Sequence, residues 1–217
     1  MSTQFVNGSR FAVSTSLAAA VAITAISNAN PAIADAATLP AEGDILLLTS
    51  GWPDLSGQVV RAANPAAGKF TLEGVDTTNT ALFPAGEGAG VYEKVSSFVS
   101  FSQVLGVSMS GGEQNFHDFR FVEDRGNRQR RKPTYKSAIT FNFRLAYDPN
   151  LPWYAALEAI DKAGREVILR ETLPEGDVIY YSGYLSFQKI PSKELDVNQE
   201  VVATFSINSD PIRYDAA

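Results

Sequence analysis

At 217 residues and 45% hydrophobic, the chain is long enough for one large β domain or two small ones and too apolar for wholesale disorder. It has no cysteine, which excludes disulfides and thiolate chemistry, and one histidine, His117, which excludes a histidine-rich metal cluster. The net charge of −6 disfavours nucleic-acid wrapping, and 13 Phe with 8 Tyr point to β structure.

In chain order, Arg10 and the Ala-rich stretch after it imitate a secretory leader. The polar start (Gln4, Asn7, Ser9) and the alternation of Val21–Ser27 oppose that reading, so a strand is expected and no leader. No apolar run reaches the roughly 20 residues of a membrane helix. Residues 22–95 read as a small β module, with strands at Val21–Ser27, Asp44–Thr49, Gly57–Ala62, Lys69–Val75 and Gly90–Val95, separated by turns rich in Gly, Pro, Asn and Asp. Its bland role is a surface decoration; the sharper one is binding by its loops. Asp35, Glu42 and Asp44 match no calcium loop and read as turn formers. Gly86–Gly90 lacks the Lys and Ser/Thr of a phosphate loop and reads as a turn.

Ser96–Ser108 follows as one strand with Val99, Phe101, Leu105 and Val107 on one face, broken by Gly111 and Gly112. Residues 109–134 form a long loop. From Arg120 to Lys136 there are seven basic and two acidic residues, a net +5 that leaves −11 on the rest of the chain. His117 beside Asp118 lacks a nucleophile and an orienting group, and reads as an ordinary loop residue.

Tyr135–Leu145 alternates with period two, placing Tyr135, Ile139, Phe141, Phe143 and Leu145 inward. A helix is predicted over about 151–163, with Asn150 as N-cap, Pro152 in the first turn, Trp153, Leu157 and Ile160 on the buried face, and Gly164 ending it. Glu158 and Asp161 read as a solvated helix face rather than an acid–base pair. Strands at Arg165–Thr172 and Val178–Ile190 flank a hairpin turn at Pro174–Asp177, and Gln199–Asn208 alternates again. The expected fold is mainly β, a sandwich or barrel with one packed α-helix, plus a small inserted barrel-like module. Phe141, Phe143, Trp153, Leu157, Ile160 and Phe205 are the expected core.

The run of strand Ile139–Leu145, Tyr147-Asp148-Pro149, the helix around Leu157-Glu158-Ala159, the Pro174-Glu175-Gly176-Asp177 hairpin, Tyr184-Leu185-Ser186-Phe187, Val197-Asn198 and strand Val202–Asn208 resembles the tail tube proteins of long, non-contractile-tailed bacteriophages. The resemblance covers roughly Ser96–Asp215 plus an N-terminal strand. Residues 22–95 separately resemble small β modules of phage structural proteins, through Ile23-Thr24-Ala25-Ile26, Asn30-Pro31-Ala32, Gly43-Asp44-Ile45 and Thr71–Asp76. The division this implies is 1–21 as an N-terminal strand of the tube domain, 22–95 as the insert and 96–217 as the tube domain. In placing the insert in an early hairpin the chain departs from many members of the family.

The resemblance implies a structural virion protein, made in the bacterial cytoplasm, whose copies form rings, usually hexameric, that stack into a hollow tail tube conducting DNA. The partners it implies are further copies of the chain and tape-measure, tail-tip and terminator proteins, with DNA passing unread. Thr140, Asn142, Thr204, Ser206 and Asn208 would line the channel, where small polar groups would not grip a polyanion. The basic residues Arg120, Arg125, Arg128, Arg130, Arg131 and Lys132 would reach a neighbouring subunit or ring, the other readings of this run being a solvated loop and a nucleic-acid patch, which the net charge opposes. No catalytic, cofactor or metal residue is expected, and no enzymatic activity. The competing readings are a single-ring tail terminator or completion protein, and a secreted β-sandwich binding module with Trp52, Phe70, Phe83 and Tyr92 as its aromatic platform.

Overall fold

The computed structural model describes residues 7–126, 128–193 and 197–216. The strands are β1 (Arg10–Leu17), β2 (Val21–Ile26), β3 (Ala32–Ala36), β4 (Ile45–Ser50), β5 (Val59–Ala66), β6 (Lys69–Glu73), β7 (Gly90–Ser100), β8 (Val104–Ser110), β9 (Gln114–Phe119), β10 (Arg130–Lys136) and β11 (Thr140–Ala146). Helix α1 (Pro152–Ala163) precedes β12 (Val167–Thr172), β13 (Val178–Gln188), β14 (Glu200–Ile207) and β15 (Ile212–Tyr214).

Six strands close a barrel in the order β2-β3-β6-β5-β4-β7, with β7 pairing back to β2. Closure leaves no sheet edge to cap. The interior is filled by alternating large and small side chains: Ala32, Ala34 and Ala36 on β3 sit among Phe70, Leu72, Leu46 and Leu48. Trp52, fully buried, plugs one end, its Nε1 donating to the Pro84 carbonyl at 2.8 Å. Gly88 lies against that indole, where a Cβ would stand 2.8 Å from the ring. The aromatic platform expected for a binding module is absent, because Trp52, Phe70 and Tyr92 are barrel core and Phe83 packs against them.

Strand β7 serves two layers. Gly90–Lys94 pairs with β4, and Val95–Ser100 pairs with β1, so it runs unbroken across residue 95. From β1 the sheet continues β12-β13-β14-β11-β8. It folds back on itself, so that Phe11 of β1 meets Phe143 of β11 edge-on at 5.1 Å. Phe141, Phe143, Leu145, Leu185, Phe187, Val201 and Phe205 fill the space between, with α1 laid over β13 and inserting Trp153, Leu157 and Ile160. A second apolar seam joins sheet and barrel: Leu47 and Val59 from the barrel meet Ile168, Tyr180 and Tyr214, and Val95 of the shared strand completes the cluster.

Several local features differ from the sequence reading. Tyr135 and Lys136 belong to β10, apart from β11, and Tyr135 is 70% exposed; residues 137–139 link the two strands, Ser137 bonding back to Gly112 and Glu113 and Ile139 on to Ile207. Residues 96–108 form two strands, because Gln103 takes a left-handed φ of 58° between β7 and β8, and Leu105 is turned out by a register shift. The helix N-cap is Leu151 with extended backbone, while the Asn150 amide instead donates to Asp148 Oδ1 in the preceding turn. The long loop 109–134 is largely a two-stranded hairpin, β9 with β10, joined by residues 120–129. Gly164 does close α1, at φ 59°, donating to the Ile160 carbonyl.

Candidate assembly surfaces

The outer face of β8-β11-β14-β13 is built by the same alternation that buries the core. Register places Ser110, Thr140, Ser206 and Tyr184 in one row and Ser108, Asn142, Thr204 and Ser186 in the next. Thr204 Oγ1 donates to Asn142 Oδ1 at 3.0 Å, so the amide is fixed across strands. The third row holds Gly106, Arg144, Val202 and Gln188, and Arg144 is ion-paired with Glu200 at 3.6 Å. The face is therefore hydroxyl- and amide-rich, with its cation neutralised. Asn208 stands one residue beyond β14, at the seam with the barrel, its Nδ2 donating to Glu166 Oε1 at 2.9 Å. The sequence reading missed Ser108, Ser110, Tyr184 and Ser186; the signal was the period-two pattern of β8 and β13, which becomes a shared face only once the strand order is known.

The two edges of this four-strand layer differ. Strand β8 has no partner on its outer side among the described residues. Beyond Gly183, β13 also lacks a strand neighbour on its outer side, but Asp161 of α1 accepts the Phe187 amide there at 3.0 Å. Glu158, the other member of the considered acid–base pair, holds Lys189 at 2.9 Å.

The β9–β10 hairpin is a separate sheet. Arg120, Arg125 and Arg128 lie in its connecting loop and Arg130, Arg131 and Lys132 on β10, all six exposed. It is held by its own contacts: Arg131 with Asp118 at 2.8 Å, Arg130 with Asp124 at 3.2 Å, and Arg130 over the Phe121 ring at 5.1 Å. His117 stacks on Phe119, and with Asp118 committed to Arg131 the two form no catalytic pair. Phe116, Phe121, Val122 and Tyr135 leave apolar surface in water.

The barrel–sheet seam is cross-linked by polar groups. Tyr214 Oη accepts the Arg61 amide at 2.7 Å and donates to the Glu73 carbonyl at 3.2 Å, with the Arg61 guanidinium 4.2 Å over its ring. Burial pushes the Tyr214 phenol up to about 12. Ser182 Oγ donates to the Gly57 carbonyl at 2.5 Å. Asp177 accepts the Ala216 amide and the Arg213 guanidinium, which hold its carboxyl below the usual aspartate range and pin β15 beside β13. Asp35 and Asp44 of the considered calcium trio are paired with Lys69 and Lys94, and Glu42 accepts the Asn64 amide. No group of acidic or histidine side chains able to hold a metal occurs among the described residues.

The sequence profile of the phage tail tube protein family matches residues 50–216. Comparison with curated proteins gives no match. Among solved structures, a chain from the virion of a native gene transfer agent particle is 8% identical, with TM-score 0.41, over 54% of this chain and 88% of that one. A chain from the tail of an empty gene transfer agent particle, refined helically with C6 symmetry, is 9% identical, with TM-score 0.40, over 55% and 87%. Family membership rests on the profile, which spans most of the chain, including barrel strands β5 to β7. The chain belongs to the phage tail tube protein family and is a structural protein of a virion tail.

Proposed function

We propose that copies of this chain form rings, six to a ring, that stack into a hollow tube whose lumen is lined by the β8-β11-β14-β13 face and conducts DNA. The observation that carries the reading is the pair of hydroxyl- and amide-rich rows running across four strands to the open β8 edge. An unpaired edge is a template for a strand of another copy, and closure of such a sheet into a ring removes it. Thr140, Asn142, Thr204 and Ser206, joined by Ser108, Ser110 and Ser186, present groups that do not hold phosphate as cations would. The body is acidic, so phosphates meet no counter-charge to release and slide past.

In this reading the chain divides into an N-terminal tube strand, a barrel inserted over about 22–95, and a tube domain over 96–217, with β7 common to both. The β9–β10 hairpin, with its six basic residues, reaches a neighbouring copy. Charged contacts of this kind set register and partner choice more than raw affinity. Tape-measure, tail-tip and terminator proteins would bound the tube's length, and the protein performs no chemistry.

Electron microscopy of the purified protein at rising concentration tests this. Hollow tubes or stacked rings of uniform diameter are the expected result. Closed rings that never stack would replace the tube with a single-ring terminator, and monomers in virion tails containing the chain would overturn ring formation altogether.

A further inference from the structure

A cleft of about 730 Å³ opens where the barrel meets the tube sheet. Its barrel wall carries Asp54, Leu82 and Phe83; its sheet wall carries Ile139, Ile207 and Asp210. Leu82 is 51% exposed, a large apolar side chain at the mouth of a concave surface. We propose that this cleft receives the tip of the β9–β10 hairpin of a second copy of the chain. The proposal rests on the ring reading above, and names the surface that the hairpin meets.

Three observations converge on that occupant. The first is charge. Residues 22–95 carry eight acidic and three basic side chains, a net −5. All three cations are already used within the barrel: Arg61 on Glu73, Lys69 on Asp35 and Lys94 on Asp44. The barrel's remaining acidic charge, Asp54 included, has no cation of its own module to meet. Residues 114–136 carry seven basic and three acidic side chains, a net +4, with Arg130 paired to Asp124 and Arg131 to Asp118. Opposite surpluses thus sit on two separate projections of one chain.

The second is apolar surface. The hairpin tip shows Phe121 at 50% and Val122 at 100% exposure, flanked by Arg125 and Arg128. This apolar pair, on a hairpin of net positive charge although Glu123 and Asp124 come next in the chain, matches a cleft with Leu82 and Phe83 beside Asp54 and Asp210, whose rim holds the single cation Lys136. Burial of such a centre supplies the affinity, and the charged rim supplies the register.

The third is reach. Gly112, Lys136 and Ser137, at the foot of the hairpin, form part of the rim of their own cleft. Strand β9 then carries the tip some 20 Å away, at about 3.3 Å per residue. A copy cannot therefore fill its own cleft with its own tip. The contact is heterologous, one projection into a different surface of the next copy, and repetition of such a contact generates closed rings or filaments.

The cysteine-free chain permits a direct test, since introduced thiols are the only ones present. Val122→Cys and Leu82→Cys chains are mixed, oxidised, and the joined peptides identified by mass spectrometry. A disulfide needs Cα atoms within about 7 Å, so it reports seating in the cleft rather than mere proximity. The expected result is a covalent pair joining positions 82 and 122, with a ladder of multimers when one chain carries both substitutions. Asp54→Lys or 0.5 M salt should lower the yield several-fold, as a contact with a charged rim requires. Val122→Cys with Ile33→Cys, exposed elsewhere on the barrel, should not join. Assembled rings or tubes without the 82–122 peptide overturn the docking and leave the ring reading intact. The 82–122 peptide in open chains that never close supports the docking and overturns the ring. Absence of the peptide together with absence of assembly overturns the docking, as does equal capture by position 33.

Discussion

At the scale of single residues, the sheet turns on Gly183. It pairs with Val167 on one side and Ile207 on the other, the point at which β13 passes from the β12 layer to the β14 layer. A Cβ there would lie 2.0 Å from the Ser206 carbonyl oxygen, so backbone and not a yielding side chain must move. Gly183→Ala is expected to cost about 3 kcal/mol, read as a lowered urea midpoint. Gly106→Ala is the control: its Cβ would meet the Arg144 guanidinium at 3.6 Å, an ordinary contact, and should change stability by less than about 0.5 kcal/mol. Tyr214 gives a pH signature. Its phenol titrates near 12 in the folded chain because burial disfavours the phenolate, against about 10 in the unfolded chain. A raised folded value means that its contribution is fully present below pH about 10 and is lost as pH climbs towards the folded value. Tyr214→Phe should therefore lose about 1–2 kcal/mol at neutral pH, by stranding the Arg61 amide and the Glu73 carbonyl, and also flatten the alkaline fall in stability. Burial raises Tyr180 and Tyr181 as well, so the fall should shrink without vanishing.

At the scale of elements, legibility followed burial. Helix α1 was readable because Trp153, Leu157 and Ile160 recur at helical spacing and Gly164 takes the left-handed position that closes it. Strands β11 and β14 were readable because each buries every second side chain, and their outward rows follow from the same alternation. Strand β3 is silent in the sequence: its buried residues are Ala32, Ala34 and Ala36, whose small side chains give little contrast with their neighbours, yet the barrel needs them small. The β9–β10 hairpin reads as a loop in the sequence because it has no core to pattern against, and β10 is exposed along its whole length. Backbone pairing and ion pairs hold it instead. That independence makes a prediction. Replacing residues 115–135 with a Gly-Asn turn removes a separate sheet and no core side chain, so circular dichroism and the thermal midpoint should change little. Ring and tube formation, seen by electron microscopy, should be lost. Tubes of normal appearance from the shortened chain would show that the hairpin is not the inter-subunit contact.

At the scale of the whole molecule, the relation between barrel and tube sheet decides how the subunit behaves, and it could not be read from local pattern. Which half of Gly90–Ser100 pairs with which strand depends on partners as distant as β1 and β4, and closure of the barrel depends on β2 returning to β7. A module that merely decorated the surface would be joined by flexible linkers and would unfold on its own. Here an unbroken strand crosses the junction, Leu47 and Val59 are buried against Ile168 and Tyr180, and Tyr214 and Ser182 tie β15 and β13 to barrel backbone. Melting the barrel would uncover that apolar seam and remove half of the pairing of β7, so neither part has a folded state with its surface satisfied when the other is unfolded. Calorimetry of the dilute subunit should accordingly show one transition, with calorimetric and van't Hoff enthalpies in agreement. Ser182→Ala, which removes a hydrogen bond across the seam, should lower that single midpoint without splitting it. Two resolved transitions in the unsubstituted chain would mean that the seam does not couple the parts, and the barrel would then be an appendage whose position is free to vary along the tube.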